Sequence, residues 1–108
     1  MPIELSELLN AISPGQTVPT APQHSFEVGK AYFIRGVTMY YTGRVDSVTD
    51  EDVVLADAAW IADTGRLSTA LESGDFNEVE PFPNPVIVPR GTICDAMLWD
   101  HELPRSKK

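Results

Sequence analysis

Four of the five arginines stand next to a glycine: Arg35 in FIRG, Arg44 in TGR, Arg66 in a second TGR and Arg90 in PRG. Glycine allows a tight turn and close backbone approach. The neighbouring guanidinium can then offer a planar fork of donors to an anion. Tyr40, Tyr41, Trp60, Phe82 and Trp99 are the aromatics near these corners. Rings that stack on bases, with arginines that grip phosphates, are what a small anionic, nucleotide-like ligand requires. On residue type alone the simpler reading is that the arginines pair with some of the 16 carboxylates at the surface, where each pair contributes little. Phe33, Trp99 and one of the two tyrosines read as core. Tyr40 and Tyr41 are consecutive, so in a strand they face opposite sides and one is left for solvent, a subunit or a ligand. Trp60, at the end of an apolar strand, is the aromatic best placed for a pocket or an interface.

Asp63-Thr64-Gly65 spells the catalytic triplet of aspartic proteases. That chemistry needs two carboxylates about 3 Å apart sharing a proton, one from each chain of a dimer. Arg66 follows directly, and a cation there favours double ionisation instead. No glycine-rich flap follows, and VIVPRG puts a proline where the wall of the dyad should continue. The triplet therefore reads as turn chemistry, with Asp63 or Thr64 capping. Other catalytic or metal-binding readings are thinner. Cys94, the single cysteine, lies in an apolar strand with no histidine close in sequence and reads as buried and inert. His24 falls in a linker and His101 in a tail, so a metal site needing both is not expected. No catalytic residue, metal or cofactor is assigned.

The elements that must position these residues follow from periodicity. Leu5, Leu8, Leu9 and Ile12 share one face of a helix over 1–12, ended by Ser13-Pro14-Gly15. Residues 13–25 carry no charged side chain and read as a linker arm. FEVGKAYFIRG, VTMYYTGRVDSVT and DVVLADAAWIA are rich in β-branched and aromatic residues and read as strands. Leu67, Ala70 and Leu71 predict a short helix stopped by Ser73-Gly74-Asp75. FNEVEPFPNP reads as an irregular connection, and VIVP with TICDAMLW as a last strand pair around Arg90-Gly91. The tail 101–108 is expected to fray. The domain so defined spans 26–100, with an insertion at 59–85. It is mainly β, with one N-terminal helix, and reads as a small closed barrel with a short helical insertion between its third and fourth strands.

The bulk numbers bound the partners. A chain of 108 residues is one domain with a modest core. Its net charge of −8 argues against nucleic acid, which is held by clustered lysine and arginine. No apolar run reaches the ~20 residues of a membrane span, and MPIELSELLN lacks the basic start of a signal peptide. The expected compartment is the cytoplasm.

AYFIRGVTMYYTGRVDSVTDEDVVLADA resembles the first half of an Sm-like or Hfq-like barrel, with the mid-strand Gly43 and the charged turn at Asp50. VIVPRGTICDAMLW resembles the second half, with Pro89-Arg90-Gly91 where that family carries Ile-Arg-Gly. The family reads uridines with an asparagine, an aromatic and that arginine. Val53-Val54 stand where the asparagine is expected, so only Arg90 carries over. The words FIR-VT-YYTGRV, AAWIADTGR, EVEPFP and VIVPRG are similar to those of small proteins of tailed bacteriophages and prophages. That resemblance implies an accessory protein made inside an infected bacterium. The resulting expectation is a non-enzymatic homo-oligomer that sequesters a small nucleotide-like signalling molecule through Arg35, Tyr40, Tyr41, Arg44, Trp60, Asp63, Thr64, Arg66 and Arg90. A structural or assembly protein of the phage is the alternative, and Sm-like RNA binding a weaker one.

Overall fold

The computed structural model describes residues 26–108; the helix expected over 1–12 and the linker over 13–25 lie outside the described residues. The elements run β1 (Ala31–Gly36), β2 (Tyr40–Val48), β3 (Asp52–Asp63), α1 (Leu67–Ser73), β4 (Glu78–Pro81), β5 (Val86–Pro89) and β6 (Ile93–Leu98), with one 3-10 turn, Arg90–Thr92, between the last two. The six strands form one antiparallel sheet in the order β4-β3-β2-β1-β6, and β5 also pairs with β3. The described chain is thus mainly β with one helix, and this pairing is that of an open sheet rather than a closed ring of strands.

β3 organises the molecule because it has two halves with different neighbours. Asp52 to Leu55 pair with β5, whereas Ala59 to Asp63 pair with β4. Between them Asp57 has φ 49°, the only left-handed non-glycine residue among those described. That conformation is costly for a residue with a Cβ, though aspartate tolerates it better than most. β2 follows the bend with register shifts between Thr42 and Arg44 and between Val45 and Ser47.

Each face of the sheet carries its own core. Tyr32, Ile34, Val45, Val53, Leu55, Ala58 and Val88 pack on one side. Phe33, Ala59, Ile61, Ala70, Phe76, Val79 and Trp99 pack on the other, beneath α1. The period-2 alternation of a strand sends Tyr32 and Ile34 one way and Phe33 the other, so the apolar run AYFI fills both cores. For the same reason Tyr40 and Tyr41 are both half-buried, one against each core, and neither is left wholly to solvent.

Three local expectations change. FNEVEPFPNP is not wholly irregular: Glu78–Pro81 forms β4, because the second half of β3 runs past the bend and offers it an edge. That extension also means the expected insertion at 59–85 starts inside a strand. VIVP and TICDAML do not pair with each other; the 3-10 turn sends β5 to β3 and β6 to β1. The tail expected to fray is placed. Trp99 is buried, the His101 ring lies 4.9 Å from it, and Lys108 exchanges two 3.0 Å backbone hydrogen bonds with Val79 along the outer edge of β4.

The helix has seven residues, too few to be stable alone. It is held by burying Ala70, and it ends at Gly74, whose φ of 81° lets its N–H reach the Ala70 carbonyl at 2.8 Å.

Candidate functional site

The bend at Asp57 gathers charge from three distant stretches of chain. Arg44 on β2 is the neighbour of Ala56 across the β2–β3 ladder, one position before the bend. Its Nη1 donates to Asp57 Oδ2 at 2.5 Å. Arg105, carried in by the placed tail, donates through Nη2 to the same oxygen at 3.3 Å. Two guanidiniums on one carboxylate leave the cluster one positive charge in surplus. The Asp57 carboxyl is held below its usual range by the hydrogen bond from Arg44 first and that from Arg105 second.

Asp57, Ala58, Pro81, Phe82, Pro104 and Arg105 line a cleft of about 190 Å³ beside this cluster. Phe82 N–H donates to the Ala58 carbonyl at 2.9 Å, which fixes the far wall. The Phe82 ring lies 6.2 Å from that of Tyr41, and Tyr41 faces Trp60 across the ladder. Ligand pockets for whole drug-sized molecules run from about 300 Å³ upward. This cleft is below that range; its charged lining residues are Asp57 and Arg105, and Arg44 and the Tyr41 ring stand outside the lining.

The four glycine-flanked arginines do not gather in one place within a chain. Arg35 forms a two-pronged pair with Asp95 on β6, its Nε 2.8 Å from Oδ1 and its Nη2 on Oδ2. That pair raises the already high pKa of Arg35 and lowers that of Asp95. Arg44 is engaged by Asp57. Arg90, in the 3-10 turn, donates to the Thr49 carbonyl at 3.0 Å, at the β2–β3 turn. Arg66 lies past the opposite end of β3, exposed at the N-cap of α1, without a side-chain hydrogen bond or ion pair among the described residues. The surface pairing allowed by residue type is therefore what Arg35 and Arg44 do.

The Asp63-Thr64-Gly65 triplet is a turn. Asp63 Oδ1 accepts from the Gly65 N–H at 2.8 Å, Thr64 Oγ1 donates to the Gly65 carbonyl at 2.7 Å, and Gly65 has φ 70°. The turn stops β3 and starts α1, whose N-cap Arg66 makes no side-chain cap. Trp60 is 38% exposed, and with Val37, Met39, Tyr40 and Ile61 it lines a separate hollow of about 320 Å³ at the β1–β2 turn. Cys94 is exposed, not buried, because β6 is the last strand of the sheet and nothing described covers it.

Sequence reasoning missed Arg105 and Asp57. Arg105 lacks the flanking glycine and sits in a stretch that reads as a tail. Asp57 carries no motif at all; the one cue was a charged residue inside the apolar run VVLADAAWIA. Among the described residues no three metal-ligating side chains come together and no helix is long and apolar enough to cross a membrane. Compared with protein-family models, with curated proteins and with solved structures, the chain matches none.

Proposed function

We propose that this chain is a non-enzymatic accessory protein that binds a small anionic, nucleotide-like molecule, with the Arg44–Asp57–Arg105 cluster as its anion site. The observation that carries the reading is the convergence of two guanidiniums on one oxygen of a residue in a strained backbone conformation. Strain of this kind costs about 1–3 kcal/mol and persists where the surroundings enforce it, often at ligand sites. A phosphoryl group entering the 190 Å³ cleft would share the two arginines with Asp57. Phe82 and Tyr41 then offer ring surface to a base. Of the residues expected from sequence, the reading uses Arg44, through its bond to Asp57, and Tyr41, through its ring contact with Phe82.

The two strands at the ends of the bent sheet, β5 and β6, are joined by a single 3-10 turn, so connectivity draws them together. This supports an Sm-like or SH3-like barrel around the core of Ile34, Val45, Leu55 and Val88. In the phage setting implied by the sequence words, the use of such a protein is to sequester a bacterial immune signalling nucleotide in the host cytoplasm.

Isothermal titration with cyclic dinucleotides, cyclic mononucleotides and cyclic ADP-ribose isomers tests the reading. Binding by the wild type, weakened at least tenfold by Arg44→Ala and by Arg105→Ala but not by Arg66→Ala, supports it. Absence of heat with every nucleotide, in a folded protein, overturns it.

A further inference from the structure

We propose that β6 is a dimerisation strand, pairing antiparallel with β6 of a second copy about a two-fold axis at Ala96. Trp99 N–H donates to the Ala31 carbonyl at 2.9 Å, so Trp99 is directed at β1. Alternation along the strand directs Met97 and Asp95 the same way, facing Phe33 and Arg35, and turns the N–H and C=O of Ala96 and Leu98 outward. No described strand lies on that side. Along β6, Met97 is 45% exposed and Leu98 51%, on opposite faces of the strand. The pairing with β1 shifts register between Arg35 and Gly36, so the ladder is regular from Asp95 onward, and the exposed edge from there to Leu98 is the kind that proteins normally blunt or pair.

The other edges of the sheet are closed to such pairing. β4 is covered at Val79 by its two hydrogen bonds with Lys108. β5 is blunted by proline. Arg90 N–H donates to the Glu51 carbonyl at 2.8 Å, so Arg90, Val88 and Val86 are directed at β3, and Pro85, Ile87 and Pro89 outward. Two of those three have no N–H to give. A head-to-tail contact of β6 with β5 would therefore lose two of the six ladder bonds that those three residues could make. β6 meeting itself would not.

Charge selects both the partner and the register. The chain carries −8, which opposes the approach of two copies over most of its surface. From Ile93 to Trp99 the single charge is Asp95, and Arg35 answers it. In an antiparallel ladder, outward residues must face outward residues, so only two registers overlap the strand well. One sets Asp95 opposite the partner's Asp95, and like charges directly opposite are destabilising. The other sets Ala96 opposite the partner's Ala96, with Asp95 facing the partner's Met97 and Cys94 facing the partner's Leu98. The second is the register the strand specifies. It would cover Met97 and Leu98 and join two sheets into one. It is independent of whether the Asp57 cluster binds an anion.

The test uses the full chain. Analytical ultracentrifugation should show a dimer. In a Cys94→Ser background, Ala96→Cys should form a covalent dimer on mild oxidation, because hydrogen-bonded antiparallel partners have Cα atoms about 5.5 Å apart, within disulfide reach. Asp95→Cys in the same background should cross-link far less. Ala96→Pro removes an outward N–H without touching the bonds to β1, and Leu98→Lys adds a charge to the edge; each should give a monomer with an unchanged circular dichroism spectrum. A wild type that stays monomeric up to its solubility limit overturns the proposal. So does a dimer in which Ala96→Cys fails to cross-link while Ala96→Pro and Leu98→Lys leave it intact.

Discussion

Gly43 and Leu55 approach so closely across the β2–β3 ladder that a β-carbon on Gly43 would stand 2.9 Å from the Leu55 Cβ. It would also meet the Ala58 Cβ at 3.3 Å, so the strand cannot evade one contact by leaning toward the other. Both atoms are fixed to the backbone of β3, on either side of the bend at Asp57. Gly43→Ala should therefore lower stability by about 1–3 kcal/mol, the range for overpacking a close-packed core. Urea denaturation followed by tryptophan fluorescence measures it, and a loss below the error of the method would contradict the packing.

Thr42, the residue before Gly43, should behave in the opposite sense. It is fully buried, and its hydroxyl has no hydrogen-bond partner among the described residues. An unsatisfied buried hydroxyl costs about 1–3 kcal/mol. Thr42→Val keeps the branched shape that suits a strand and removes the orphaned group, so it should raise stability by roughly 1 kcal/mol. A lower melting temperature would mean that the hydroxyl is bonded in solution.

Gly74→Ala combines two penalties. The residue needs φ 81°, and its missing side chain is the space that His101 occupies, with the ring Cγ 2.7 Å from an added Cβ. The conformational part alone costs about 1 kcal/mol. The rest depends on whether His101 leaves the Leu71 carbonyl, now 2.8 Å from its Nε2, and the edge of Trp99. A blue-to-red shift of tryptophan emission should accompany the loss of stability, since Trp99 would gain access to water.

Acid should act on the two arginine-held carboxylates. Asp57 and Asp95 have folded pKa values lowered by hydrogen bonds from Arg44 and Arg105, and from Arg35, respectively. A lowered folded value means stability that is fully present above the unfolded carboxylate pKa, about 3.9, and lost as pH falls through the folded one. Denaturation midpoints should thus be flat in this contribution near neutrality and fall below roughly pH 4. Asp95→Asn and Asp57→Asn should each flatten part of that acid limb. Both carboxylates are exposed, so the effects will be modest and will shrink in salt.

Much of the strand content was legible because β1, β2 and the first half of β3 carry β-branched and aromatic runs bounded by polar turns. The short helix was legible from Leu67, Ala70 and Leu71 and its stop at Gly74. What could not be read was pairing. VIVP and TICDAML are adjacent in sequence, and only the 3-10 turn at Arg90–Thr92 sends them to opposite ends of the sheet. Edge position was equally hidden, so Cys94 read as buried from an apolar neighbourhood that has nothing over it. The candidate anion site was half visible. Arg44 stood out beside its glycine, whereas Asp57 acquires its role only from a backbone bend and Arg105 only from the return of the tail.

The division of β3 between two cores has a consequence for how the molecule comes apart. Val53, Leu55 and Ala58 belong to one cluster, Ala59 and Ile61 to the other, and one continuous backbone carries both. Neither half can melt without withdrawing the strand that supports its neighbour. Unfolding should then be a single all-or-none event, with calorimetric and van't Hoff enthalpies that agree. Amide protons along the middle of β3 should exchange only through that global opening.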